Sequence, residues 1–204
     1  MTPFPRLVIT GIAILLLGAC QADPAARTVE PTAAAATATD DATAEPAPTG
    51  AAASEPPRGS ADFTCDLPIV TEPTVAIANV TDVRVAEHPG HDRVVLEFAQ
   101  GIPEATLARD EPPFFEDGSG FEVEIGGSSF LALVMRGGTK QTDDGTSSYD
   151  GPTDFERDYP MLRHLAEGGD FERQSTWYIG LNGEACVNLF TLDDPPRLVI
   201  DLEH

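Results

Sequence analysis

The stretch HPGHD contains the residue types of this chain that most resemble a metal or catalytic cluster. His88, His91 and Asp92 lie close together, directly before the apolar run RVVLEF. Imidazoles and carboxylates bind zinc and move protons, and on a helix the two histidines would share a face. Pro89 and Gly90 separate them and favour a turn over a helix. The sequence therefore predicts a turn that starts a strand, with Asp92 accepting backbone hydrogen bonds in that turn.

The rest of the chain offers this cluster little support. A mononuclear metal site would need further ligands, and the other two imidazoles, His164 and His204, have no spacing that indicates a site. No serine lies in a GxSxG context. We therefore predict no catalytic residue, no metal and no cofactor. An adventitious metal site and a metal-dependent hydrolase that uses His88, His91 and Asp92 are the alternatives.

A second group of oxygen ligands lies in the segment TDDGTSSYDG. It places Asp143, Asp144 and Asp150 beside glycine, and carboxylates on a flexible loop can bind Ca²⁺. The spacing differs from D-x-D-x-D-G, and the bidentate glutamate of such loops is missing, so a solvated acidic loop is the simpler interpretation. Because loops often carry binding function, Asp143 and Asp144 remain candidate ligand-binding residues.

The N-terminus reads as an export signal rather than as part of a fold. Arg6 precedes the apolar run 7–17, which is shorter than the roughly 20 residues needed to cross a bilayer. The following LGAC resembles a bacterial lipobox, with Cys20 as the lipidated residue. We therefore predict a lipoprotein signal peptide over residues 1–19 and a lipid anchor at Cys20, on the extracytoplasmic face of the membrane. An ordinary signal peptide that contains a cysteine is the alternative.

Residues 20–62 have the composition of a tether. Alanine, threonine and proline dominate and large apolar side chains are nearly absent, so this segment cannot bury enough surface to offset its ordering entropy. We predict a disordered linker here and a folded domain over residues 63–204. With Cys20 lipidated, Cys65 and Cys186 remain as a pair, and in an exported protein this predicts a disulfide. Two buried free thiols are the alternative.

The charge of the folded part excludes several partners. Residues 64–204 hold 27 acidic and 9 basic side chains, within a chain of net charge −22. Such a surface repels nucleic acid, teichoic acids and anionic lipid head groups. An acidic surface that keeps the domain soluble is the simplest interpretation.

The folded part alternates apolar and polar residues in short runs, as β-strands do. The runs VTDVRVAEH, RVVLEF, GFEVEIGG, FERQSTWYIGL and RLVIDLEH are separated by turn sequences such as EDGSG, LNGE and DDPP. Successive side chains of a strand face opposite sides, so the pattern predicts an all-β sandwich of antiparallel sheets. The segment YPMLRHLAEGGD could be a short helix or a strand.

The runs VTDVRVAEHPGHDRVVLEF, GDFERQSTWYIGL and DPPRLVIDL resemble an AMIN-like domain over residues 78–204, the type found in secreted actinobacterial lipoproteins. The resemblance implies a β-sandwich of two small sheets. It also implies a non-catalytic role, since related AMIN domains accompany cell-wall amidases and secretion pores, where they bind peptidoglycan. This chain has no attached amidase domain, so its own ligand is inferred by analogy of fold.

One strand offers a candidate binding surface. Trp177 alternates onto the same face as Ile179 and is predicted to pack in the core. Tyr178 is expected on the opposite face together with Gln174, where an exposed ring could stack on a sugar. We therefore predict a non-catalytic, lipid-anchored module that binds peptidoglycan or another cell-wall component. A protein-interaction factor that binds an envelope protein is the alternative.

Overall fold

A computed structural model describes residues 62–204. The expected signal peptide, the lipidated Cys20 and nearly all of the expected tether lie outside these residues. The described part contains thirteen strands, in chain order β1 (Ile69–Thr71), β2 (Ala78–His88), β3 (His91–Phe98), β4 (Glu104–Asp110), β5 (Phe114–Phe115), β6 (Glu122–Val123), β7 (Ser129–Arg136), β8 (Gly138–Thr139), β9 (Asp154–Glu156), β10 (Leu162–Phe171), β11 (Gln174–Leu181), β12 (Val187–Asp193) and β13 (Pro196–Glu203). None of residues 62–204 forms a helix that could cross a membrane.

The strands form two large sheets and one small one. The first has six strands in the order β1-β4-β7-β11-β10-β9, and the second has five in the order β12-β13-β3-β2-β8. All their pairs are antiparallel except β2 with β8, while β5 and β6 form a separate two-stranded sheet. The predicted all-β sandwich is confirmed. The third sheet and the parallel pair were not predicted.

Alternating side chains of the two large sheets form one core between them. Each sheet contributes every second residue of its central strands, and the fully buried members include Leu96, Phe98, Leu133, Trp177, Ile179, Ile200 and Leu202. Burying a side chain of this size contributes about 1.5–3 kcal/mol. The prediction that Trp177 packs in the core is confirmed, because its exposure is 0%.

The segment YPMLRHLAEGGD, which the sequence allowed as a helix or a strand, leads into β10 and forms most of it. This strand pairs with β11 along its whole length, with register shifts between Leu162 and His164 and between Glu167 and Gly169. The predicted continuous strand FERQSTWYIGL is wrong at its start. Glu172 and Arg173 adopt positive φ angles of 52° and 63°, and this tight turn ends β10 and starts β11.

The N-terminal end of the described chain is fixed to β12. Thr64 and Val187 exchange two backbone hydrogen bonds of 2.8 Å. The neighbouring Cys65 and Cys186 form a disulfide across a sequence separation of 121 residues. The predicted disulfide is confirmed, and closing so long a loop stabilises a fold by about 4–5 kcal/mol in the chain-entropy model.

A segment that we call the strap, residues 114–128, crosses the outer face of the six-stranded sheet. Phe114 packs at 4.7 Å, between ring centroids, against Tyr178. A Cβ atom on Gly180 would lie 1.9 Å from the carbonyl oxygen of Gly126, so the strap touches the sheet backbone at this point. The strand predicted over GFEVEIGG is therefore reduced to β6. Phe121, the first apolar residue of that run, is 73% exposed.

Candidate functional site

The HPGHD stretch is the tight turn that joins β2 to β3. His88 and His91 form the closing pair of this hairpin, their rings stack with centroids 5.1 Å apart, and Gly90 has a φ of 88°. The predicted turn is confirmed. Neighbouring residues of a strand face opposite sides, so the ring of His91 and the carboxylate of Asp92 do not converge on one site.

Asp92 points into the sandwich and connects the two sheets. Its exposure is 0%, and its Oδ2 accepts hydrogen bonds of 2.7 Å from the backbone N–H groups of Met161 and Leu162. His204 Nε2 lies 3.5 Å from Oδ1. The prediction that Asp92 accepts hydrogen bonds within its own turn is wrong, because its partners come from the chain that enters β10. Within residues 62–204, Asp92 thus links β3 of one sheet to the start of β10 in the other.

His91 belongs to a polar group on the outer face of the five-stranded sheet. Arg93 donates two hydrogen bonds, of 2.6 and 2.8 Å, to the carboxylate of the buried Asp201. His91 Nε2 lies 3.6 Å from the same carboxylate. Burial lowers the pKa of His91. Within residues 62–204, no three His, Cys, Asp or Glu side chains are arranged to hold a metal ion.

Tyr178 is buried beneath the strap. Only 8% of it is exposed, and its hydroxyl donates a hydrogen bond of 3.0 Å to the carbonyl oxygen of Phe115. Burial raises the pKa of this phenol. The predicted exposed tyrosine is therefore wrong. The ring does lie opposite the core face, as the alternation predicted, but the strap covers it.

The other three candidate residues meet near the turn between β10 and β11. Gln174 is the first residue of β11, and its neighbour Arg173 contacts Asp143 at 3.0 Å. Asp144 accepts hydrogen bonds from the hydroxyl groups of Thr142 and Thr146, which lower its pKa to about 2. The carboxylate of Asp144 thus stabilises its own loop, whereas Asp143 and Gln174 flank the same arginine.

Arg173 and Gln174 line a groove at one end of the six-stranded sheet, which we call the arginine groove. Asp143 adjoins it through its ion pair with Arg173. The backbone pairing sets Arg136 between Glu104 on β4 and Gln174 on β11. Glu172 and Arg173 form a second wall, and the apolar residues Pro73, Val75 and Ile77 form the third. The groove has a volume of about 460 Å³, within the usual range for small-ligand sites of about 300–1,000 Å³.

The arginine groove is less acidic than the domain as a whole, because two arginines and two glutamates line it. Arg136 pairs with Glu104 at 3.3 Å and is 74% exposed, and Arg173 pairs with Asp143 and is 50% exposed. Exposed ion pairs contribute little stability, so a ligand carboxylate can replace either acidic partner at small cost. Guanidinium groups bind carboxylates through two parallel hydrogen bonds. The groove is therefore suited to a ligand with carboxylates and polar groups.

The turn that presents Arg173 is conformationally unfavourable. Neither Glu172 nor Arg173 is glycine, yet both have positive φ angles, and such strain is often found at functional sites. The carbonyl oxygen of Arg173 accepts a hydrogen bond of 2.8 Å from the N–H of Gly137. This contact fixes the turn beside the groove. Sequence reasoning missed Arg136 and Arg173, because their only signal is the scarcity of basic residues.

Comparison with known proteins gives the family of the chain. No curated protein and no solved structure matched it. A family model described as AMIN-like domain matches residues 78–204. AMIN-like domains are associated with cell-envelope and peptidoglycan-related functions and are generally non-catalytic binding or targeting modules. The match covers more than half of the chain and strands β2 to β13, and this chain therefore belongs to the AMIN-like domain family.

Proposed function

We propose that this protein is a non-catalytic module, lipid-anchored at the extracytoplasmic face of the membrane, that binds peptidoglycan through the arginine groove. Family membership supports a role in the cell envelope. The LGAC sequence supports the anchor at Cys20, and the tether-like composition of residues 20–62 supports a domain that reaches from the membrane into the wall.

The arginine groove is the observation that carries the proposal. Two of the nine basic side chains of residues 64–204 lie in it. Peptidoglycan carries peptide carboxylates that fit Arg136 and Arg173, and its acetamido and hydroxyl groups can hydrogen-bond the amide of Gln174. The acidic remainder of the domain repels the polyanionic polymers of the wall. The groove itself, where Arg136 and Arg173 lie beside Glu104 and Glu172, is close to neutral, and it thus favours a ligand of low charge density.

Co-sedimentation with purified peptidoglycan sacculi tests this function. We expect saturable binding by the wild-type protein and at least about tenfold weaker binding by Arg173→Gln, because about 1.4 kcal/mol corresponds to tenfold. Arg84→Gln is the matched control. Arg84 is 45% exposed and pairs with Asp82 and Glu97 away from the groove, so this variant has the same net charge and should bind like wild type.

Calcium serves as a further arm of the experiment. Asp144 accepts hydrogen bonds from hydroxyl groups and Asp143 pairs with Arg173, so we expect binding to sacculi to be the same with and without Ca²⁺.

Equal loss of sacculus binding in Arg173→Gln and Arg84→Gln would show that net charge, rather than the groove, determines binding.

A second function, docking of an envelope protein, is favoured by exposed aromatic rings at the strap. Phe121 is 73% and Phe171 54% exposed, and a Cβ atom on Gly118 of the strap would lie 3.2 Å from the ring of Phe171. Exposed apolar patches on an otherwise polar surface often mark protein contacts. Failure of the wild-type protein to sediment with sacculi would favour this second function over the first.

A further inference from the structure

The two large sheets differ in how their edges end. The edge strands β1 and β9 have 3 residues each and β8 has 2, whereas β12 has 7. Natural sheets protect an edge with short strands, bulges, lysine or proline. The residues 187–192, VNLFTL, contain neither lysine nor proline, and β12 pairs with β13 without a register shift. Among the described strands, β12 is thus the long edge without these protections.

The hydrogen bonds of Val187 show which groups this edge presents. Its N–H and C=O both bond to Thr64, on the side away from β13. Backbone groups of an antiparallel strand alternate in direction, so Leu189, Thr191 and Asp193 present theirs on that same side. Within the described residues, the backbone groups of Leu189 and Thr191 make no hydrogen bond there. Among residues 62–204, nothing pairs with this edge from residue 189 onward.

We propose that β12 pairs antiparallel with β12 of a second copy of this chain, which joins two five-stranded sheets into one. The outward backbone groups of Val187 already bond to Thr64. The register that pairs the remaining outward residues, Leu189, Thr191 and Asp193, places Thr191 opposite Thr191 of the second copy. Leu189 then lies opposite Asp193, and Phe190 lies opposite Leu192. A two-fold axis through this pair makes the interface isologous, as in most homodimers.

The side chains of this register favour a second copy as the occupant. Asp193, the one charged residue of β12, meets leucine, so no like charges face each other directly. Phe190 and Leu192 form cross-strand apolar pairs on the outer face. The acidic character of the whole domain opposes association at long range, and salt screens this repulsion. Pairing should therefore strengthen as the salt concentration rises, whereas docking of a basic foreign strand would weaken.

Sedimentation velocity of the purified full-length protein, at low and high NaCl and over a wide concentration range, tests the proposal. We expect a monomer–dimer equilibrium that shifts toward dimer at high salt. Thr191→Pro removes the outward N–H, which an edge strand tolerates, and should weaken the dimer at least about tenfold. Thr191→Val keeps the N–H and should associate like wild type. A monomer under all conditions, or dimers of unchanged strength in Thr191→Pro, would overturn the proposal.

Cross-linking tests the register separately. Paired Cα atoms of a hydrogen-bonded antiparallel pair lie about 5.5 Å apart, within disulfide range. Thr191→Cys should therefore form a dimer under mild oxidation that the wild-type protein does not form. Asp193→Cys should not, because the two copies of residue 193 lie several residues apart in this register. Equal cross-linking of both variants would contradict the pairing.

Discussion

Replacing Asp92 by alanine should destabilise the sandwich by about 3–5 kcal/mol, the usual cost of removing one partner of a buried charged interaction. The carboxylate is fully buried and accepts two backbone hydrogen bonds of 2.7 Å. Hydrogen bonds to a charged group contribute about 1.5–3 kcal/mol each, and their loss leaves the N–H groups of Met161 and Leu162 without a partner. The change thus weakens the contact between the two sheets at the start of β10.

Asparagine at the same position separates shape from charge. Asp92→Asn keeps one acceptor oxygen of similar size but no negative charge, so we expect a smaller loss of about 1–2 kcal/mol. Asp150→Ala serves as the control, because Asp150 is exposed and surface substitutions change stability by about 0.5 kcal/mol or less.

Urea unfolding followed by tryptophan fluorescence gives the free energy of unfolding of the wild type, of Asp92→Ala, of Asp92→Asn and of the control Asp150→Ala. Trp177 is the single tryptophan and is 0% exposed, so its emission reports the opening of the core. The midpoint should fall in the order wild type, Asp92→Asn, Asp92→Ala, with an unchanged slope. A loss below about 1 kcal/mol for Asp92→Ala would refute this reasoning, because an ordinary neutral hydrogen bond contributes that much.

Two further predictions concern His91 and the strap. Burial lowers the pKa of His91 below its ordinary 6.5, so the unfolded chain takes up a proton at a higher pH than the fold does. Stability should therefore fall as the pH drops below about 6.5, and His91→Gln should reduce this slope in urea titrations. A Cβ atom on Gly180 would lie 1.9 Å from Gly126 O, so Gly180→Ala should cost about 2–3 kcal/mol in thermal unfolding. A Cβ atom on Gly126 would have its nearest contact at 3.8 Å, and Gly126→Ala is the matched control with a loss below about 1 kcal/mol.

Alternation in the sequence was enough to predict the central strands. In RVVLEF and RLVIDL every second residue is apolar, and the structure pairs Leu96 with Leu198 and Val94 with Ile200 across β3 and β13. The period of two is a local property of an extended chain, so it survives in the sequence wherever one face packs on the core.

The same reasoning fails where a strand is covered on both faces. In β10 the consecutive residues His164, Leu165 and Ala166 are all buried. Leu165 packs in the core. His164 and Ala166 lie on the opposite face, where His164 accepts a hydrogen bond of 3.0 Å from the N–H of Gly126 in the strap and Ala166 lies opposite Tyr178. Three buried residues in a row next to Leu162 resemble one face of a helix. The helix-or-strand ambiguity of this segment therefore has a physical cause.

Contacts between distant segments could not be predicted either. Tyr178 lies on the polar side of its strand, but residues 114–128 cover it. Arg136 and Arg173 share a groove because β7 pairs with β11, which places Arg136 opposite Gln174. Neither arrangement leaves a periodic signal in one sequence. Of the residues at the candidate site, the sequence therefore predicted only Gln174 and Asp143, which flank Arg173.

The disulfide beside Thr64 also determines how the domain bears mechanical load. Tension between the chain upstream of Cys65 and a ligand held at Arg173 has two covalent routes through the protein. Arg173 lies 108 residues after Cys65 but only 13 residues before Cys186. At about 3.4 Å per extended residue, rupture without the cross-link would release roughly 370 Å of chain, and with it only about 45 Å. The bond between Cys65 and Cys186 thus acts as a strain limiter, which keeps most of the sandwich outside the path of the force.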